Sequence, residues 1–179
     1  MGSIFRNLVR ALSRIFPDCV TLSQAIAFNM FLAFFPMLLL ALGLLGGTGL
    51  TAYFGMTDIA KVKAGDFVVV SGAAGATGSV ACQIAKLKGA TVLGLAGSED
   101  KVKWLKELGC DEALNYKDPQ FKEKFKAATK DLIDVFFDNV GGEILEAALS
   151  RAKPHARFVM CGAISQYNSA QPVGPKVCA

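Results

Sequence analysis

Two hydrophobic rhythms divide this chain. From Ala25 to Leu45 apolar residues run without a charge, and between Phe16 and Met56 the sole formal charge is Asp18. From Thr57 onward, short apolar runs alternate with charged, helix-periodic stretches. The first rhythm predicts one long apolar helix. At 1.5 Å per residue it would reach about 31 Å, enough for a hydrocarbon core of about 30 Å. A buried or interfacial helix and a signal sequence are the other readings of that run. Ahead of it, Ile4-Phe5, Leu8-Val9, Leu12 and Ile15-Phe16 recur at helical spacing beside Arg6, Arg10 and Arg14. This predicts a basic amphipathic helix suited to an anionic membrane surface, with the N-terminus on the cytoplasmic side.

The second rhythm predicts alternating strands and helices. Phe67–Val70 is a wholly apolar, β-branched run of the kind covered on both faces. A small-residue turn, Gly72 to Gly78, follows it, and then a helix over Ser79–Lys88. Thr91–Ala96 reads as a second strand. Ser98–Gly109 reads as a helix, with Ser98 at its cap and Gly109 as its stop. Ala113–Tyr116 is a short third strand. Asp118-Pro119 opens a helix to about Thr129, Ile133–Asp138 is a fourth strand, Glu143–Lys153 a helix and Arg157–Cys161 a fifth strand. Regular alternation of this kind predicts an α/β fold with a doubly wound parallel sheet of Rossmann type, though incomplete, preceded by the hydrophobic helix. The composition shift at Gly46-Gly47 places a boundary there: residues 1–46 as the basic and membrane-like part, 47–179 as a truncated nucleotide-binding domain.

Composition sharpens this picture at a few points. The chain of 179 residues is 53% hydrophobic and 19% charged, with a net charge of +4. It has no basic block with interleaved aromatics, which gives nucleic-acid binding no support. Its five cysteines include no CxxC pair and read as reduced thiols. His155, the single histidine, reads as a loop residue before the fifth strand, and no metal site is expected.

The candidate chemistry sits in the first strand–turn–helix. Small residues at Gly75, Ala76, Thr77 and Gly78 allow close backbone approach to a pyrophosphate, and the helix N-terminus offers free amides and a positive dipole end. The second strand ends "LAGSEDK" without an acid at its tip, where an NAD site wants one. Lys101 is one helical step on and can meet a 2′-phosphate as a point charge, so NADP is expected over NAD. A solvated helix lysine is the plainer account of Lys101.

Two resemblances add to these readings. "AIAFNMFLAFFPMLLLALGLL", within Ser3–Gly47, resembles the first membrane segment of the YihY/BrkB family of bacterial inner-membrane proteins. From about Gly47 to Val173, "TGLTAYFG", "VVVSGAAGATGSV", "GSEDK", "NYK", "FDNVGGE" and "CGAISQYN" resemble the zinc-independent medium-chain dehydrogenases/reductases. Within these, the nearest group is the prostaglandin reductase, or leukotriene B4 12-hydroxydehydrogenase-like, enone and alkenal reductases. That resemblance implies NADPH as cofactor and a small enone or alkenal as substrate, in the cytoplasm, with a homo-oligomer compatible. It also implies that Gly75, Ala76, Thr77 and Gly78 cradle the pyrophosphate and that Lys101 and Tyr116 hold the 2′-phosphate end. Asn139 would lie along the ribose and pyrophosphate path, and Cys161, Gly162, Ala163, Ile164, Ser165, Gln166 and Tyr167 would pass near the nicotinamide. Sheet-edge packing for Tyr116, a helix cap for Asn139 and plain core filling for Cys161 are the structural alternatives. The family's catalytic domain precedes "TGLTAYFG"; here the apolar segment stands in that place, so no catalytic residue can be named. The sequence therefore reads as two unrelated segments joined near Gly46-Gly47-Thr48-Gly49. This chain alone is expected to bind cofactor without turnover. A membrane-anchored NADP-binding module without catalysis and a mis-joined YihY/BrkB-type fragment are the competing readings.

Overall fold

A computed structural model of the chain describes residues 46–168 and Gly174. These lie in the second of two units, Leu45–Ala179. The amphipathic and membrane-type helices expected before residue 46, and with them the YihY/BrkB resemblance, lie outside the described residues. Among the described residues no helix is long and apolar enough to cross a membrane.

The described part opens in a helix over 46–54, here α1, which runs directly into a π-helical turn at Gly55–Ile59. It was not foreseen. Glycine is a poor helix former, and Gly46, Gly47 and Gly49 mask the pattern. Its tertiary anchor is one apolar face: Ala52 and Met56 are fully buried, while Leu50, Tyr53 and Phe54 face outward.

Five strands then form a single sheet in the order β3-β2-β1-β4-β5, every pair parallel. They are β1 (Phe67–Val70), β2 (Thr91–Ala96), β3 (Glu112–Asn115), β4 (Ile133–Asp138) and β5 (Ala152–Met160). The crossovers carry α2 (Ala76–Leu87), α3 (Glu99–Glu107), α4 (Phe121–Ala128) and α5 (Gly142–Leu149). Two apolar layers cover the sheet. One joins Val68, Val70, Val92, Val135 and Phe137 to α1, α2 and α3; the other joins Val69, Leu93, Leu95 and Phe136 to α4 and α5. Strands flanked on both faces lose nearly all contact with water, which is why β1 and β2 read in sequence as apolar runs, while β4 keeps Asp134 half-buried near its start and Asp138 buried at its end.

Several boundaries differ from expectation, β3 by one residue (Glu112–Asn115) and α4 by its start at Phe121 among them. Helix α2 starts at Ala76, not Ser79, so part of the glycine turn is already helix. Helix α5 ends at Leu149 and β5 begins at Ala152, so Lys153 belongs to the strand. The reason is a bulge: Ile133 faces Ala152 but Val135 faces Arg157. His155 lies in that irregular stretch of β5 with φ of 63°, not in a loop ahead of the strand. Arg157 then fastens β5 to the end of the π turn. Its Nη1 donates to the carbonyls of Ala60 (2.7 Å) and Lys61 (3.0 Å), and its Nη2 to Asp66 Oδ2 at 2.7 Å.

Candidate cofactor site

The strand order reverses at β1, between β2 on one side and β4 on the other, and open parallel sheets bind ligands at the C-terminal strand ends beside such a reversal. A cleft of about 470 Å³ lies there. Its floor is the turn between β1 and α2. Gly72 takes φ of 57°, a conformation that suits glycine, and its carbonyl accepts the Gly75 amide at 2.9 Å. Gly75 is the N-cap of α2 and no side chain caps the helix. Ser79 N–H bonds the Gly75 carbonyl at 2.9 Å, which leaves the amides of Ala76, Thr77 and Gly78 as the unpaired first turn of a helix. That is an anion-binding end by construction. Gly78 has a different task. A Cβ there would stand 2.3 Å from the Gly72 carbonyl oxygen and 2.8 Å from Ala73 Cα, so only glycine lets α2 pack this closely on the turn.

One end of the cleft is made by the tips of β2 and β3. Tyr116 leans over Gly97, where a Cβ would lie 2.7 Å from its hydroxyl. Lys101, exposed on the first turn of α3, also lines the cleft. No ion pair engages Lys101 among the described residues, whereas Lys86, Lys124, Lys153 and Arg157 are each bound to a carboxylate. The acid nearest the β2 tip, Glu99, is turned aside: its Oε1 accepts from Asn115 Nδ2 at 2.9 Å.

The opposite wall comes from the loops after β4 and β5. Asn139 is held by two hydrogen bonds to Ser71, from its amide to Ser71 Oγ (2.8 Å) and from Nδ2 to the Ser71 carbonyl (2.7 Å). Cys161 is half-buried, and burial followed by the nearby Asp138 charge pushes its thiol up, so it rests as the neutral thiol. The Gly162 position allows close approach to the Asn139 carbonyl, 3.3 Å from where a Cβ would be.

Of the residues singled out in sequence, Gly75, Ala76, Thr77, Gly78, Lys101, Tyr116, Asn139, Cys161, Gly162, Ile164 and Tyr167 share this one cleft. Ala163, Ser165 and Gln166 do not line it. They build the turn behind it: Ser165 Oγ donates to the Val140 carbonyl at 2.6 Å, and the Gln166 amide to the Ala163 carbonyl at 2.8 Å. Gly72, Ala74, Ala96, Gly97 and Val140 also line the cleft and were not singled out. They contribute backbone and small volume, and only the glycines carry a signal in sequence. Among the described residues no group of three or more His, Cys, Asp or Glu is placed to hold a metal ion.

A parallel α/β sheet with an uncapped helix end at its reversal point defines a nucleotide-binding domain of Rossmann type. The family model described as "Zinc-binding dehydrogenase" matches residues 76–177, and the chain belongs to that family. Prostaglandin reductase 1 of Bos taurus is 53% identical over 137 residues, 76% of this chain and 42% of the relative. The 2-alkenal reductase (NADP(+)-dependent) of Nicotiana tabacum is 46% identical over 134 residues, 74% of this chain and 39% of the relative. The crystal structure of CurA in complex with NADPH from Vibrio vulnificus superposes with a TM-score of 0.71 at 44% identity, over 75% of this chain and 41% of that one. The chain thus spans about two fifths of the length of the relatives it matches.

Proposed function

We propose that the described domain binds NADP as the cofactor-holding part of a reductase for carbon–carbon double bonds conjugated to a carbonyl, the alkenal and enone class. The observation that carries the cofactor assignment is the β2–β3 end of the cleft. A cation without an ion pair among the described residues, Lys101, and a phenol, Tyr116, meet there, and no carboxylate lines the cleft to hold a ribose 2′-hydroxyl. This donor set suits a 2′-phosphate and disfavours NAD. The relatives' names, NADP-dependent 2-alkenal reductase among them, support both cofactor and substrate class.

The residues present fit the dinucleotide from end to end. Lys101 and Tyr116 would hold the adenosine phosphate. The free amides of Ala76, Thr77 and Gly78 would receive the pyrophosphate. Asn139, Cys161, Gly162, Ile164 and Tyr167 would flank the nicotinamide half. The bound cofactor supplies hydride; the domain's own work is to place it and to shield one side of it from water. Residues 47–179 are read as this domain. Residues 3–46 are read as a basic stretch and a membrane-type helix, a reading that stands on sequence alone and is tested by partitioning of the whole chain between membrane and soluble fractions.

The cofactor test is a titration of the chain with NADPH and with NADH. Removing a charge-assisted contact costs roughly 1.5–3 kcal/mol, so Lys101→Ala should weaken NADPH about ten-fold or more and leave NADH nearly unchanged. Equal losses for the two cofactors would refute the role given to Lys101.

A further inference from the structure

Asp138, at the C-terminal end of β4, is fully buried and belongs to no part of the cleft lining. Its Oδ1 accepts three hydrogen bonds: from Ser71 Oγ (2.7 Å), from the Val140 amide (3.0 Å) and from the Gly141 amide (3.0 Å). Among the described residues its Oδ2 has no partner. Its backbone carbonyl accepts the amides of Cys161 (2.8 Å) and Gly162 (3.0 Å). Ser71 is equally buried, sits at the root of the Gly72–Gly78 turn, and in turn accepts the Asn139 amide at 2.8 Å. A carboxylate with one orphan oxygen is costly in a dry interior, so its place needs a reason beyond packing. Three donors converging on one oxygen bind Ser71, Val140 and Gly141 to a single point.

We propose that Asp138 is a positioning residue that ties the glycine turn after β1 to the loop after β4, so that the floor and far wall of the cleft move as one body. The inference rests on the NADP reading only for its consequence in binding; the coupling itself is a property of the free protein.

The test is hydrogen exchange on the whole chain without cofactor, followed by NADPH titration. Ser71→Ala removes the Oγ bridge, and with it the acceptor of the Asn139 amide, and leaves the Val140 and Gly141 bonds of Asp138 and the Asn139 Nδ2 bond to the Ser71 carbonyl in place. It should accelerate exchange about ten-fold or more both at the hydrogen-bonded amides of the turn, Ala73 and Gly75, and at Val140 and Gly141 in 139–142. Asp138→Ala should do the same where it folds. Acceleration confined to 139–142, or none in either segment, overturns the proposal. In titration, Ser71→Ala should raise the Kd for NADPH about ten-fold. Thr129→Val is the control: Thr129 is buried, donates to the Phe125 carbonyl at 2.7 Å and lies outside the cleft, so it should lower Tm and leave that Kd unchanged. An unchanged Kd in Ser71→Ala overturns the binding consequence. Wild-type protein that does not bind NADPH refutes the cofactor reading instead, and the exchange result then decides the coupling by itself.

Discussion

Gly78→Ala and Gly49→Ala are the same chemical change with opposite expected signs. At position 78 the new methyl would meet the Gly72 carbonyl oxygen at 2.3 Å and Ala73 Cα at 2.8 Å, against an ordinary contact of 3.4 Å or more. Both obstacles are backbone of the turn itself, so no side chain can swing away. The turn must open by about 1 Å or α2 must lift off it, and overpacking of this kind costs about 1–3 kcal/mol. Alanine's helix propensity offsets about 1 kcal/mol. Because the clash is double and rigid, the upper part of the range applies, and the net loss is roughly 2 kcal/mol. For a domain of this size that lowers Tm by on the order of 8 °C. At position 49, in α1, nothing among the described residues lies within 4 Å of the added Cβ, so the helix-propensity gain of up to about 1 kcal/mol stands alone and Tm should rise by a few degrees. Thermal melts followed by far-UV circular dichroism read both. Gly78→Ala melting at or above the wild-type temperature would show that the turn yields freely and that close packing of α2 does not fix this glycine.

Three further outcomes follow from the same geometry. Asp134 lies partly buried with Lys153 Nζ at 2.7 Å and the Phe67 amide at 2.9 Å; burial pushes its carboxyl up, but these partners together hold it below the ordinary carboxylate value. A depressed folded-state value means that its stabilisation is full above the unfolded-state value and is lost as pH falls through the folded one, so acid melts should steepen below about pH 4 and Asp134→Asn should flatten that limb. Among the described thiols, Cys161 should be alkylated by maleimide before Cys82 and Cys110, which are buried, and peptide mapping of partly labelled native protein reads that order. Purified chain in mild detergent should show no NADPH oxidation with a simple α,β-unsaturated ketone, because hydride transfer needs a water-excluding site with atoms about 3–3.5 Å apart; turnover abolished by Gly75→Asp would refute this.

What the sequence made legible follows from how each element is held. Strands β1, β2 and β4 could be bounded to the residue because helices cover both their faces and burial concentrates apolar residues there, interrupted in β4 only by Asp134 before its terminal Asp138. The edge strand β5 could not. Its bulge around His155 replaces alternation with Lys-Pro-His, a pattern that reads as loop and invites the preceding helix to be drawn too long. Helix α1 hid behind its glycines, since its support is tertiary. In the cleft, Lys101 and the glycine turn announced themselves through residue type. Gly97 carried only the signal of its residue type, because its meaning lies in Tyr116 across the strand tips. Ser165, a hydroxyl in the loop after β5, lies outside the cleft lining, and its Oγ donates to the Val140 carbonyl, a contact no residue pattern announces.

The strand order also has a consequence on the ribosome. β1 is the central strand, with Val68, Val69 and Val70 shut away from water in the finished sheet. Its partner on one side, β2, is made soon after it. Its partner on the other, β4, begins only at Ile133, after residues 71–132 have been synthesised. At a translation rate of about 5–20 residues per second, that interval lasts about 3–12 s. By the end of that interval the nascent chain can pair three strands and still offer one open, valine-rich margin to whatever lies nearby. A pause introduced between Lys117 and Leu132 lengthens the exposure without altering a single residue of the product. The yield of soluble protein should therefore respond to the speed of synthesis in that window more than to the same pause placed after β4.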